Sequence, residues 1–220
     1  MTDAAARAAL ATRLRAEGLT DDDLAPIAAA TRARTLARGD AVLRAGERPT
    51  HAGVVVTGVL REFFPLADGR EVTRGFAGPG SFLGSLSDLL VDGPARSTVA
   101  AEAPTEVVLT PWTAIRAAAV ARPAWAALLA RVTERLYLAK AEREYELLAL
   151  DATARYQRFR ARFAALEPVI SQRHVASYIG VTPEHLSRLR RALGEAPARP
   201  PTRRPVRPAT GRPRSPARSR

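Results

Sequence analysis

The hydrophobic and polar positions divide the chain into stretches of different period. Residues 5 to 34 predict short helices, with Asp21 to Asp23 as caps ahead of LAPIAAATRA. From Thr35 to Leu109 the pattern shifts to short β-prone runs, AVLRAG, HAGVVVTGVLREFF, EVTRGF, STVAAEA and TEVVLT. These are separated by Arg38-Gly39-Asp40, Ala67-Asp68-Gly69 and Gly78-Pro79-Gly80. Regularly spaced short strands with such breakers predict an antiparallel sandwich or small barrel, an architecture suited to holding a ligand.

Pro111 opens a helical region, and Pro123 to about Leu150 is the longest uninterrupted helix candidate. Trp125, Leu129, Val132, Leu136 and Ala139 follow three-four spacing, as in a helix that packs along one seam. Arg143 and Glu146 fall where that seam would continue. The stripe suits either a dimer contact or packing on the chain's own sandwich. Length favours the dimer, because roughly 25 helical residues extend about 38 Å and outrun a small sandwich.

Asp151-Ala152-Thr153 caps a further helix, ATARYQRFRARFAAL, which ends at Glu167-Pro168 and carries Tyr156, Phe159 and Phe163 on one face. Residues 170 to 193, ISQRHVASYIGVTPEHLSRLRRAL, read as two short helices around a tight turn. Ser171 caps the first, with Val175, Ala176 and Ile179 inward. Gly180 supplies a turn position that commonly needs positive φ. Val181 plugs the corner, Thr182 caps the second helix and Pro183 takes its first position, where a missing N–H costs nothing. Leu186, Leu189 and Leu193 are the expected buried stripe, leaving Glu184, Ser187, Arg188 and Arg191 outward.

Such a face fits the major groove of DNA. Arg188 can donate bidentately to guanine, Glu184 can accept from cytosine N4, and Ser187 can reach a base or a phosphate. Plainer roles stay open: Glu184 can complement the helix dipole, and Arg188 or Arg191 can touch phosphates alone. Thr182, His185 and Arg173 join the DNA-facing set, with His185 read as a backbone contact or a solvated side chain.

Charge sharpens this picture. The chain has a formal net charge of +12, yet residues 1 to 150 hold 18 basic and 18 acidic side chains. Residues 151 to 194 carry eight Arg against Asp151, Glu167 and Glu184, and residues 195 to 220 carry eight Arg against Glu195. A neutral body with a basic end points to a polyanion, although a solvated basic surface has the same signature. The stretch 195 to 220, rich in Pro and Arg, has no apolar period and is expected to be disordered, either as an inert tail or as a phosphate-attracting one.

Zero cysteines exclude disulfides, thiolate metal sites and cysteine nucleophiles and fit a reducing compartment. The first residues do not read as a secretory signal, and nothing is long and apolar enough to span a membrane, so a cytoplasmic location is expected.

The order of these segments resembles the Crp/Fnr family of bacterial transcription regulators over about residues 20 to 193, and Val181 to Arg188, VTPEHLSR, is similar to the Fnr-type recognition helix. The resemblance implies an α+β fold: N-terminal helices (1–34), a cyclic-nucleotide-binding-like β-roll of jelly-roll type with a flanking helix (35–122), a long dimerisation helix (123–150), a helix-turn-helix unit (151–194) and the tail (195–220). It also implies a homodimer on an inverted-repeat site in double-stranded DNA, with RNA polymerase as a further partner. The winged strands usual after the recognition helix have no counterpart beyond Gly194.

Gly80 to Leu86 followed by Ala95-Arg96-Ser97-Thr98 resembles the family's phosphate-binding cassette. Arg96 and Ser97, with backbone N–H groups around Gly84, Ser85 and Leu86, are the candidate ligand-binding set. However, Ser85 stands where cyclic-nucleotide binders carry a ribose-holding glutamate, and Lys140 and Ala141 replace hydroxyl residues that face the base. A cyclic nucleotide, another small ligand and a ligand-free structural cassette all stay open.

Haem is not compelled by His51, His174 or His185, and His174 reads as structural or phosphate-facing. A cupin-like enzyme would need clustered metal ligands, whereas the sandwich holds only His51. GPGSFLG lacks the spacing and βαβ setting of a dinucleotide fingerprint. With no nucleophile–base constellation, no enzyme activity is expected. A sensor whose helix pair contacts only protein is the remaining alternative.

Overall fold

A computed structural model describes residues 1–194; the tail expected over 195–220 lies outside the described residues. Two helices open the chain, α1 (Asp3–Arg15) and α2 (Asp21–Ala28). The cap of α2 is Thr20, not the aspartates: Thr20 and Asp23 exchange side-chain-to-backbone bonds in a capping box. The helical stretch also ends earlier than expected. The chain becomes strand at Arg32, because Arg32 to Leu36 pairs with the later run Thr105 to Leu109.

Eight strands form the roll: β1 (Arg32–Leu36), β2 (Ala41–Leu43), β3 (His51–Thr57), β4 (Leu60–Pro65), β5 (Glu71–Ala77), β6 (Phe82–Leu83), β7 (Thr98–Ala101) and β8 (Thr105–Pro111), with a short helix α3 (Leu86–Leu90) after β6. They make two four-stranded antiparallel sheets, in the orders β1-β8-β3-β6 and β2-β7-β4-β5. Both faces of the first sheet are covered, which explains why Val54-Val55 and Val107-Val108 are apolar without alternation. Val55 and Val107 point into the core between the sheets with Leu36, Leu60 and Val99. Val54 and Val108 point to the other side, under Leu10, Leu14, Ile27 and Trp125. At the β3–β4 turn, Gly58 has φ +81°, and a Cβ there would lie 2.4 Å from the Pro104 carbonyl oxygen, so only glycine fits.

Helix α4 (Trp112–Ala121) leads into α5 (Pro123–Ala149), the 27-residue helix expected from the sequence, with Pro123 in its first turn. The first half of the expected stripe packs on the chain's own body, while Leu136 and Ala139 further along it are exposed. Trp125 and Leu128 are buried, with Leu129 and Val132 packed beside them on the N-terminal helices and the roll. Beyond Val132, Arg135 lies over Phe82 and Leu136, Tyr137 and Lys140 face the roll across a cavity, while Leu138, Tyr145 and Leu148 are exposed at 58%, 50% and 81%. With Ala141, also exposed, they repeat at 3-4-3 spacing along one face of α5, where Arg158 lies over the Tyr145 ring.

The C-terminal unit consists of α6 (Ala152–Phe163), a 3-10 turn at Glu167–Val169, α7 (Gln172–Ile179) and α8 (Pro183–Ala192). Its core is Tyr156, Phe159, Val175, Ala176, Ile179, Leu186 and Leu189. The fold is α+β, as the pattern of runs predicts.

Candidate functional site

The helix pair is fixed by local chemistry. The Ser171 hydroxyl accepts from the His174 N–H, capping α7, and Gly180 ends that helix in the left-handed region at φ +74°. Thr182 accepts from the His185 N–H at 3.2 Å, and Pro183 opens α8. Leu186 and Leu189 seat α8 on α7. Leu193, expected in that stripe, is instead 40% exposed, since α8 ends at Ala192 and its last turn runs past the edge of α7.

The opposite face of α8 is polar and turned to solvent. Thr182, Glu184, His185, Ser187, Arg188 and Arg191 are all exposed, as is Arg173 on α7. The Glu184 carboxylate is held below the usual range by its own backbone N–H and the Thr182 hydroxyl, with Arg188 one turn on adding to the effect. The eight arginines of residues 151 to 194 divide clearly. Arg155 donates to the Ile179 and Leu150 carbonyls, Arg158 pairs with Glu142, Arg160 and Arg190 with Glu167, and Arg162 with Glu146. The other three, Arg173, Arg188 and Arg191, are those on the exposed α7–α8 surface.

A second set of residues, silent in the sequence, fixes how this unit sits on the roll. The Thr73 N–H donates to Ser177 Oγ at 2.9 Å, and that hydroxyl donates to the Glu71 carbonyl at 3.0 Å, tying α7 to β5. Phe76 of β5 meets Phe159, Phe163 and Tyr178 with ring centroids 5.6–6.1 Å apart. His174 Nδ1 contacts the buried Glu102 carboxylate, which also pairs with buried Arg61 at 3.1 Å. His174 is thus turned to the roll, in line with its structural reading and away from the phosphate-facing one. Arg143 and Glu146, the breaks in the expected α5 seam, lie here too. Glu146 is 1% exposed and takes Arg143 and Arg162 at 3.1 Å each, and Arg143 lies over the Tyr178 ring. The aromatic face of α6 was legible as a stripe; the partners on β4, β5 and the β7–β8 turn were not, because they come from distant sequence.

The cassette residues also come together, around a group the sequence reading left aside. Asp88, in the first turn of α3, is 3% exposed. Its Oδ2 accepts from Ser85 Oγ at 2.7 Å and from the Arg96 backbone N–H at 3.2 Å, and its Oδ1 accepts from Arg96 Nε at 3.0 Å. Ser97 Oγ donates to Glu62 Oε1 at 2.6 Å, and Arg74 pairs with the same oxygen. The Leu86 N–H folds back onto the Gly84 carbonyl at 3.0 Å. Beside this set, a cavity of about 390 Å³ lies between the roll and α5, lined among others by Phe76, Leu86, Leu90, Tyr137 and Lys140. The donor set does not fit a nucleotide phosphate: the hydroxyls and the guanidinium that would hold one already hold carboxylates.

Among the described residues no cluster of side chains could hold a metal ion, and no helix is long and apolar enough to cross a membrane. The described residues combine an antiparallel roll, a long helix at its side and a pair of short helices joined by a tight glycine turn. Residues 33–121 match the cyclic nucleotide-binding domain family. FixK2 from Bradyrhizobium japonicum is similar in structure, with a TM-score of 0.67 and 23% identity over 74% of this chain and 84% of that one. CLP, the c-di-GMP-responsive global regulator of Xanthomonas campestris, gives a TM-score of 0.63 at 17% identity over 80% and 92%. The catabolite activator protein of Thermus thermophilus gives 0.51 at 24% over 80% and 84%. No curated protein matches in sequence. Residues 33–121 thus resemble a cyclic nucleotide-binding domain, and the chain as a whole shares the fold of FixK2, CLP and the Thermus thermophilus catabolite activator protein.

Proposed function

We propose that this chain is a homodimeric, sequence-specific DNA-binding regulator of transcription of the Crp/Fnr type, acting in the cytoplasm on an inverted-repeat operator and, through it, on RNA polymerase. The observation that carries the reading is the outer face of α8: Glu184, Ser187 and Arg188 are exposed on a helix whose other face is anchored by Leu186 and Leu189. Arg188 and Glu184 read base edges, Ser187 reads a base or phosphate, and Thr182, His185, Arg191 and Arg173 contact the backbone. Pairing of two chains along α5 sets the spacing of the two half-sites. A domain boundary near Leu150, where α5 gives way to α6, separates the sensing part from the reading part. The cavity beside α5 is where a small effector would act on that helix.

The test is selection of bound duplexes from a random pool, repeated at several salt concentrations. The expected outcome is an inverted repeat. In Arg188→Ala the preference at one position per half-site relaxes, with a loss of about 1–3 kcal/mol per half-site for the selected sequence. In Arg173→Ala affinity falls evenly across sequences and the slope of log K on log salt shrinks by about one per chain. Recovery of sequences with no shared order, bound only through salt-dependent attraction, would overturn the reading.

A further inference from the structure

The roll's cassette contains its own anion. We propose that the Asp88 carboxylate takes the seat that a ligand phosphate would occupy, so that the chain's own charge orders the cassette and the roll does not bind cyclic nucleotides. The inference concerns the roll alone and does not rest on the DNA reading.

Three observations converge. Asp88 is almost fully enclosed, and both of its oxygens are used: one by the Ser85 hydroxyl and the Arg96 N–H, the other by the Arg96 guanidinium. The neighbouring hydroxyl, Ser97, is turned to Glu62, which Arg74 holds from its other side. The backbone at the tip of the loop is closed on itself through Leu86 and Gly84. An incoming phosphate would find the Ser85 and Ser97 hydroxyls and the Arg96 Nε–H already given to carboxylates, with only the outer edge of the exposed Arg96 guanidinium left to it. A second anion there would be repelled by Asp88, whose charge the one Arg96 guanidinium already compensates. Neutralising Asp88 by protonation offers no way out. Burial pushes its pKa up, but the Ser85 hydroxyl, the Arg96 N–H and the Arg96 charge more than offset this and hold the carboxyl below its usual range.

The arrangement follows from a short sequence feature. Ser85 and Asp88 stand three apart at the start of α3, the spacing of a capping box, and Arg96 returns from the loop before β7 to close the set. A serine in place of a ribose-holding carboxylate and an aspartate three residues later thus act together: the first removes an acceptor for the ligand, the second installs a substitute for it.

Calorimetric titration and thermal denaturation of the full chain test the proposal, with cyclic AMP, cyclic GMP and inorganic phosphate as probes. Wild type is expected to show neither binding heat nor a Tm shift at about 1 mM of any probe, a level that would stabilise a protein with micromolar affinity. Asp88→Ala is expected to lower Tm by about 5–10 °C, since it strands the Arg96 charge and the Ser85 hydroxyl. Inorganic phosphate should restore part of that loss relative to chloride of equal ionic strength, with no matching effect on wild type. Asp88→Asn, which keeps the shape and removes the charge, should show a smaller loss with the same anion dependence and stands in if the alanine variant does not fold. Binding of either cyclic nucleotide by wild type at millimolar or tighter affinity would overturn the proposal. So would an Asp88→Asn variant as stable as wild type and indifferent to phosphate.

Discussion

Glu146 shows how a single side chain decides whether the two halves of this molecule hold together. It sits on α5 at 1% exposure, with Arg143 from its own helix and Arg162 from α6 each 3.1 Å away, and Arg162 also reaches the Tyr178 hydroxyl. A carboxylate so enclosed is tolerated only because both arginines compensate it, and its removal leaves two positive charges facing each other. Glu146→Ala is therefore expected to cost about 3 kcal/mol, read in calorimetry as a Tm lower by about 6–12 °C, whereas Glu146→Gln should cost about half as much. From sequence this residue reads as a flaw in an apolar seam, as does Arg143. The residues that did show in the sequence, Ser171, Gly180, Thr182 and Pro183, have their partners within a few positions along the chain. Arg96 for Asp88, His174 and Arg61 for Glu102 and Arg162 for Glu146 come from other elements, and no local pattern announces those partners.

At the scale of elements, the contact between α7 and β5 positions the helix pair and the exposed face of α8. Glu102, at the β7–β8 turn, receives His174 from α7 and Arg61 from β4. Burial alone would push its pKa up, but hydrogen bonding and charge from His174, with Arg61 and Arg38 behind, bring it below the usual carboxylate range. A depressed folded-state pKa gives stability that is fully present above the unfolded value, near 4.5, and is lost as pH falls through the folded value. Glu102→Gln should accordingly destabilise the protein by about 1–3 kcal/mol at neutral pH. The gap to wild type should narrow as pH drops below about 4 in denaturant titrations, because wild type then loses the same charge. Hydrogen exchange should localise the loss to α7 and β5. Equal protection of both elements in variant and wild type would show that the contact does not hold them. Strand β1 explains another limit of sequence reading. RARTL is mostly polar because the strand pairs only with β8 and lies at the sheet's edge, so its period is hidden, and the two residues of β6 are too few to show one.

For the whole molecule, the open question is what covers the outer half of α5. The length of the helix and its rough start are legible in the sequence, but two apolar faces share the one helix and a single spacing pattern does not separate them. Trp125, Leu128, Leu129 and Val132 are satisfied by the chain's own core; Leu138, Ala141, Tyr145 and Leu148, with no polar break, stay exposed among the described residues. Exposed apolar residues in a 3-4-3 repeat on a helix about 40 Å long are the signature of a second helix alongside, and a second copy of α5 is the occupant that the inverted-repeat reading requires. Sedimentation equilibrium of Leu138→Glu/Leu148→Glu is expected to give a monomer where wild type gives a dimer, with far-UV circular dichroism unchanged because neither side chain enters a core. Affinity for a palindromic site should fall by orders of magnitude, while weak contact with a half-site persists through Arg188 and the basic surface around it. A variant that stays dimeric would move the interface elsewhere on the chain, and a wild type that is monomeric at every concentration would leave the two recognition helices without a fixed spacing.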